Sequence, residues 1–107
     1  MNKLIADTLK PIGLPVAFKT YNGSQSEYII FNYWSTPLVH ADNEEIITNY
    51  TVQIDYFTPG NFLNTAKQIE QLMKNAGFMR KMDDSEYNDK TKVFRYFTRF
   101  SYAMKRN

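Results

Sequence analysis

Apolar residues in the first quarter of the chain predict a short helix followed by a short strand. They fall at helical spacing within residues 2–10, and Pro11 would end such a helix. Residues 16–19 follow a proline and predict a short extended segment. The pair Asn22-Gly23 is the strongest β-hairpin signal in the sequence, and it predicts a tight turn before the next strand.

Residues 27–34 predict a strand that is apolar on both faces. The strand is rich in β-branched and aromatic side chains, namely Tyr28, Ile29, Ile30, Phe31, Tyr33 and Trp34. Because successive side chains of a strand point to opposite faces, we expect a helix to cover one face and another subunit to cover the other. Residues 35–45 have no hydrophobic period and contain Pro37 and three acids, so they predict a long, exposed connection.

Residues 46–57 show the clearest alternation in the chain and predict a strand. One face collects Ile46, Tyr50, Val52, Ile54 and Tyr56. The other face collects Asn49, Thr51, Gln53 and Asp55. We therefore expect one side of this strand to pack on a core and the other to meet water or a polar lumen.

Residues 61–76 predict a second, amphipathic helix. Its apolar stripe consists of Phe62, Leu63, Ala66, Ile69, Leu72, Met73 and Ala76. Asn61 is a residue type that caps helix N-termini, and Gly77 suits the left-handed position that follows a helix. The remaining chain predicts a strand beginning at 78–82, a polar turn at 83–89 and a last strand at 91–104.

The predicted order of elements is α-β-β-β-α-β-β. A single antiparallel β-sheet packed by two helices on one side is the simplest arrangement that buries these apolar faces, so we expect an α+β fold. The 107 residues carry no internal repeat or linker and provide for one core. We therefore expect one domain over residues 1–107.

Composition excludes several classes of protein. The chain has no cysteine, which rules out a disulfide framework and thiol chemistry. Its formal net charge of +2, from 13 bases and 11 acids, is too balanced for a dedicated nucleic-acid-binding protein. No secretory signal and no apolar run of membrane-spanning length is recognisable, so we expect a soluble protein made in the cytosol without a membrane partner.

The sequence contains no recognisable catalytic constellation, so we expect a binding and assembly protein that is not an enzyme and needs no cofactor. His40 is the only histidine, and Asp42, Glu44 and Glu45 follow it closely. A carboxylate–imidazole metal site is conceivable there, but metal ligands need rigid support that an acidic loop lacks. We therefore favour a solvated acidic loop over a metal site.

A second acidic cluster lies at residues 83–89, where four carboxylates occur. Its spacing differs from that of a calcium-binding loop, and the terminal glutamate of such a loop is missing. A charged hairpin turn is the favoured interpretation.

The last strand interleaves bases with aromatic residues over residues 92–100. Such a surface stacks nucleobases in RNA-recognition motifs, which makes a small single-stranded nucleic-acid-binding module the alternative hypothesis. The glycines of that motif are missing and the order of elements differs. The other interpretation is a core strand whose outward Arg95 and Arg99 pair with acids of a neighbouring subunit.

Nearly the whole chain, taken in order, resembles small tail proteins of long-tailed bacteriophages and prophages, the tail completion, tail terminator or head–tail joining family. Four segments carry the resemblance. The first is Tyr28-Ile-Ile-Phe-Asn-Tyr33, which looks like the family's "Y-I-x-F/Y" strand, and the second is the acidic connection Asp42-Asn-Glu-Glu45. The third is Tyr50-Thr-Val-Gln-Ile-Asp-Tyr-Phe57, similar to a "V-x-I-D-I/Y" strand, and the fourth is Leu72-Met-Lys-Asn-Ala-Gly-Phe78, similar to "L-x-x-x-G-F". An acidic turn and the aromatic, basic last strand follow in the same order.

The resemblance implies a structural virion protein that assembles as a ring, often a hexamer, at the head-proximal end of the tail. Such a ring would terminate the tail tube or join it to the head connector, and its partners would be further copies of itself, the major tail protein and the connector. Phage DNA would pass through its lumen without sequence-specific binding. The protein would reside in the virion tail, and in the bacterial host cytoplasm during assembly. The residues expected to contact subunits or partners are Trp34, Leu38, His40, Glu44, Glu45, Arg95 and Arg99.

Overall fold

The structure is a computed structural model that describes residues 1–40 and 46–106, with side chains over 1–36 and 47–104. Its elements are helix α1 (Asn2–Leu9), a 3-10 turn (Lys10–Ile12), strands β1 (Val16–Phe18), β2 (Tyr28–His40) and β3 (Ile46–Thr58), helix α2 (Leu63–Asn75), and strands β4 (Met79–Asn88) and β5 (Val93–Arg106). The described residues therefore follow the predicted order and form an α+β fold.

The five strands form one mixed sheet in the order β1-β2-β3-β5-β4. The pairings β2–β3, β3–β5 and β4–β5 are antiparallel. The pairing β1–β2 is parallel, with Val16 opposite Ile29 and Phe18 opposite Phe31. The expectation of an antiparallel sheet is therefore wrong at β1 and confirmed for the other three pairings.

The parallel pairing also means that Asn22-Gly23 does not form a hairpin. Residues 19–27 instead carry the chain back alongside β1 before β2 begins. Parallel strands usually need a longer crossover, but β1 has only three residues, so the return covers roughly 10 Å. The expected change of chain direction near Asn22-Gly23 is present, but the strands on either side of it are parallel and do not form a hairpin.

Strand β2 is longer than the sequence predicts, because residues 35–40 continue it instead of forming an exposed connection. They pair with β3, from Ser35 opposite Tyr50 to His40 opposite Ile46, with a register shift between Pro37 and Val39. Pairing with β3 overrides the lack of a hydrophobic period. Residues 41–45 of the predicted connection lie outside the described residues.

The polar turn predicted at residues 83–89 is likewise mostly strand. β4 runs to Asn88, and the Asn88 side-chain oxygen accepts the amides of Lys90 and Thr91 at 2.9 and 3.2 Å, so the turn lies after it. Every residue of β4 is exposed, because it is an edge strand. An exposed edge strand and a polar turn have similar compositions, which explains the error.

Both helices pack on one side of the sheet, which we call the inner face. The core combines helix residues with alternate residues of β2, β3 and β5, and it consists of Ile5, Leu9, Ile29, Phe31, Val52, Ile54, Tyr56, Ala66, Ile69, Met73, Phe78, Tyr96 and Phe100. The alternation predicted for β3 is confirmed over Val52, Ile54 and Tyr56, which are fully buried. The opposite side of the sheet, which we call the outer face, carries no helix among the described residues.

Helix α2 begins and ends close to the predicted positions. The N-cap position is Phe62, one residue after the expected Asn61, and the Asn61 side-chain oxygen accepts the amide of Leu63, the first helical residue, at 2.9 Å. Gly77 has φ 98°, the left-handed conformation expected after the helix end. Among the described residues, no helix is long and apolar enough to cross a membrane.

Candidate interaction face of the sheet

The outer face presents the side chains that alternate with the core residues along each strand. Among its described members are Tyr28, Ile30, Asn32, Trp34 and Thr36 of β2, Asn49, Thr51, Gln53, Asp55 and Phe57 of β3, Arg95, Phe97, Arg99 and Ser101 of β5, and Met82, Asp84 and Glu86 of β4. The register of the sheet places residues that lie far apart in sequence side by side on this face.

Arg95 lies opposite Phe57 on the outer face and is held by two carboxylates of its own chain. Its guanidinium lies 2.7 Å from an oxygen of Asp55 and 3.1 Å from one of Glu86. The Asp55 side chain is only 12% exposed, and its carboxylate also accepts a hydrogen bond from the Gln53 side-chain nitrogen at 3.2 Å. The guanidinium carbon lies 4.4 Å from the centre of the Phe97 ring, so the arginine also stacks on an aromatic side chain.

Arg99 lies beside this network, and its side chain extends towards β2. Its Nε donates to the Gln53 side-chain oxygen at 2.9 Å, and its guanidinium carbon lies 5.3 Å from the centre of the Trp34 ring. Trp34 is 42% exposed, which is high for the largest apolar side chain in the protein. Among the described residues, no carboxylate pairs with Arg99.

An aromatic stack occupies the end of the outer face where β2 begins. The ring centres of Tyr21 and Tyr28 are 4.4 Å apart, and those of Tyr28 and Phe57 are 4.9 Å apart. Residues 19–27 thus pack a side chain against the outer face and cover this end of it.

The described charges that the strand register places on the outer face are nearly balanced. Arg95 and Arg99 face three carboxylates, those of Asp55, Asp84 and Glu86. A nucleic-acid-binding surface carries a clear excess of positive charge, which this arrangement lacks.

Three of the seven predicted contact residues, Trp34, Arg95 and Arg99, lie together on the outer face. The side chains of Leu38 and His40 lie outside the described residues, as do Glu44 and Glu45 entirely. The metal site considered at His40 therefore also lies outside them. Within the described part of the chain, no group of three or more His, Asp or Glu side chains is placed to hold a metal ion.

Sequence reasoning did not single out Gln53, Asp55 and Glu86 as part of this site. The alternation of β3 assigned Gln53 and Asp55 to the polar face but gave no partner for either. Their partners come from β5 and β4, and only the register of the sheet identifies them.

Two buried tyrosines lie on the inner face, away from this site. Burial, reinforced by the Asp83 charge, raises the pKa of Tyr96 to about 12. Burial and a hydrogen bond to Glu27 also raise the pKa of Tyr56. Both hydroxyls therefore stay protonated near neutral pH and act as hydrogen-bond donors.

No protein-family model and no curated protein matches the sequence. Solved structures match it in fold. A chain in the virion of a native gene transfer agent particle superposes with a TM-score of 0.63 at 14% identity, covering 95% of this chain and 84% of that one. A second solved chain, which bears no functional description, superposes with a TM-score of 0.58 at 13% identity, covering 95% and 88%. At these identities the likeness shows a shared fold.

Proposed function

We propose that this protein is a structural component of a virion of the long-tailed phage or prophage type. It assembles as a ring at the head-proximal end of the tail, where it terminates the tail tube or joins it to the head connector. The observation that carries the proposal is the fold shared with a gene transfer agent virion chain along 95% of this chain. The order of sequence motifs, which resembles the tail completion family, supports the same role.

The outer face supports a role in assembly. It is a broad surface that no helix of the described residues covers, and it exposes Trp34 beside Arg99. Aromatic residues and arginine are enriched at protein–protein interfaces. A ring built from one kind of chain requires each copy to contact the next through two different surfaces that together close the circle. A neighbouring copy is therefore the first partner we assign to this face.

Native mass spectrometry and negative-stain electron microscopy test this proposal, with the protein alone and with tail tubes assembled from a major tail protein. We expect a ring of defined copy number at one end of each tube. A ring absent from the protein alone but present on tubes also supports the role, because the tube then acts as the template. A chain that stays monomeric and never associates with tubes would contradict it.

The alternative, a single-stranded nucleic-acid-binding module, has less support in the geometry of the last strand. Arg95 is already paired with Asp55 and Glu86, and the face as described has no excess of positive charge. The exposed Trp34 with Arg99 over its ring is the feature that favours it. Oligonucleotide affinity that falls steeply with salt, and disappears in an Arg95→Ala, Arg99→Ala double variant, would support this alternative over the ring.

A further inference from the structure

We propose that one copy contacts the next through an arm of its sheet, whose inner face packs on the neighbour's outer face around Trp34 and Arg99. The arm consists of residues 35–40 of β2, 46–50 of β3 and 102–106 of β5. This inference rests on the proposed function, because it names the contact by which the ring would form. It uses two different surfaces of each copy, as a closed ring of identical chains requires.

The arm exists because the sheet is much longer than the helices that cover it. Helix α2 and strand β3 each have 13 residues. At rises of about 1.5 and 3.3 Å per residue, they span roughly 20 and 43 Å. The molecule accordingly measures 53 Å in its longest dimension and 24 by 22 Å in the other two. One end of the long strands therefore lies beyond the helices.

The core ends where the arm begins. Among the described residues, Tyr33 and Tyr102 are the last of β2 and β5 that pack against the core, and Val52 is the first of β3. The Tyr102 ring stacks on that of Phe78, which follows α2, with ring centres 4.5 Å apart. Beyond this row, the inner face of the arm has no helix to pack against in the described part of the chain.

The inner face of the arm has the side chains of an interface. The sheet register places Ser35, Thr48, Tyr50, Tyr102 and Met104 on it. Thr48 is buried, Ser35 is exposed and the other three are half-buried. Tyrosine and methionine are enriched at protein–protein interfaces, so this face is suited to a partner.

The arm also lacks charge over most of its length. Apart from Lys105 and Arg106 at its end, its sequence contains no Asp, Glu, Lys or Arg, although these residues make up 22% of the chain. Exposed strands commonly carry charges that discourage association, whereas the cores of interfaces are depleted of them. The composition of the arm is therefore that of strands covered by another chain.

The outer face suits an uncharged neighbour, because several of its polar groups already have partners within the chain. Arg95 pairs with Asp55, and Arg99 donates to the Gln53 side-chain oxygen. Covering these groups does not require charges from the arm. Trp34 remains 42% exposed beside Arg99, and tyrosine rings pack well on both indole and guanidinium groups.

The sheet edges are less suited to the contact. At the β2 edge, the Tyr33 amide donates to the Asn32 side-chain oxygen at 2.9 Å, and Pro37 has no amide hydrogen. At the β4 edge, the Asp84 side chain accepts the Ser85 amide at 2.8 Å. Occupied amides and prolines oppose the addition of a strand, which favours a contact between faces.

The size of the arm predicts a weak contact between any two copies. Three strands about 4.8 Å apart, with about five residues of each, give a surface roughly 14 by 17 Å. Specific interfaces of ordinary size bury about 800 Å² per partner, which is more than this surface supplies. We therefore expect isolated chains to associate only at high concentration, and rings to form on a tail tube that holds the copies together.

Photo-crosslinking between two kinds of chain tests the contact. The probe chain carries p-benzoylphenylalanine in place of Tyr50, and the acceptor chain is unchanged but isotopically heavy. The two are mixed and illuminated at high concentration and on tail tubes, and mass spectrometry locates the light–heavy links. We expect links from the probe to outer-face residues of the acceptor. Links to the acceptor's helices or to its arm would overturn the inference, as would the absence of links between copies.

The matched control places the same probe at Lys67, an exposed residue of α2, and should give no links to the outer face. Circular dichroism checks that each probe chain folds. If the chain with the probe at Tyr50 does not fold, Ser35 takes the probe instead, because it is exposed on the same face of the arm.

A tryptophan substitution tests whether the contact joins two different surfaces. Trp34→Glu in the acceptor should lower the yield of links about tenfold, because it changes the face that receives the arm. The same substitution in the probe chain should change the yield less than about twofold, since that chain contributes only its arm to the link. Equal losses in the two mixtures would indicate a two-fold contact and overturn the inference, as would no loss in either. Trp34→Ser replaces Trp34→Glu if the latter does not fold.

The outcomes separate the two proposals. Rings on tail tubes without links from the arm to the outer face would overturn the contact and leave the tail function standing. Such links without rings or tube association would support the contact and contradict the tail function. If neither is observed, both proposals are wrong.

Discussion

Arg95 reaches two carboxylates that lie 40 and nine residues away in sequence, and at 2.7 Å its bond to the nearly buried Asp55 is the closer of the two. Replacing Arg95 with methionine should lower the free energy of unfolding by about 2 kcal/mol, because Asp55 would be left without its cation. Arg99→Met is the matched control and should cost less than about 1 kcal/mol, since Arg99 is exposed and has no described carboxylate partner. Denaturant unfolding measures both.

Equal losses for the two arginine variants would contradict the assignment of Arg95 to a network within its own chain. A double-mutant cycle with Asp55→Asn sharpens the result. We expect the effects of Arg95→Met and Asp55→Asn to be clearly less than additive, because each variant removes the same ion pair.

Tyr96 should make the stability of the protein sensitive to alkali. Burial raises its pKa from 10.0 to about 12, so between these values the unfolded chain loses the hydroxyl proton while the folded chain keeps it. The stability contributed by the protonated Tyr96 is complete below about pH 10 and is lost as the pH rises to about 12. Denaturant unfolding at several pH values should show a shallower alkaline loss for Tyr96→Phe than for the unchanged chain. Parallel profiles would contradict this account of Tyr96.

For single residues, the sequence predicts which face of the sheet a side chain occupies but not which side chain it pairs with. Alternation placed Val52, Ile54 and Tyr56 on the core side correctly, because a strand has a fixed period of two. The interpretation of Arg95 as a partner for another subunit's acids did not foresee Asp55 and Glu86. Neither carboxylate can be linked to Arg95 until the register between strands is known.

Helix α2 ends at a position where the backbone requires glycine. Gly77 has φ 98°, and a Cβ placed there would lie 3.5 Å from Tyr102, an ordinary contact, so the cost of a side chain arises from the backbone. Gly77→Ala should therefore lower the free energy of unfolding by about 1–2 kcal/mol.

Gly60→Ala provides the matched control for this helix end. Its backbone is not left-handed, and a Cβ there would lie 3.9 Å from the Thr58 hydroxyl oxygen. We expect a change within about 0.5 kcal/mol, measured by thermal and denaturant unfolding. A Gly77 variant as stable as the Gly60 variant would contradict the conformational argument.

The sequence predicted the type and order of the elements but misplaced two segments and one pairing. Residues 35–40 lack an apolar period and residues 83–88 are polar, so both look like connections, yet they are strands that pair with a neighbour on one side. The Asn22-Gly23 signal predicted a hairpin, whereas the strands on either side of it are parallel. The local composition of a segment indicates that it is exposed, but it does not distinguish an exposed strand at a sheet edge from an exposed loop.

At the scale of the molecule, one face of the sheet packs on the two helices and the other is free of helices in the described residues. The first property follows from the amphipathic patterns and was predictable. The second could be anticipated only in part, from the two-sided apolar character of residues 27–34. What covers the outer face depends on a partner, and a single chain's folding pattern does not encode the identity of its partner.

The central claim, a ring that completes a phage-type tail, is tested most directly by particles assembled with and without this chain. Electron microscopy should show that particles lacking it have tail tubes of uncontrolled length or heads without attached tails, and that supplying the chain restores normal particles. An antibody or density label should then place it at the head-proximal end of the tail. Normal tailed particles formed in its absence, or a label found elsewhere in the virion, would contradict the account.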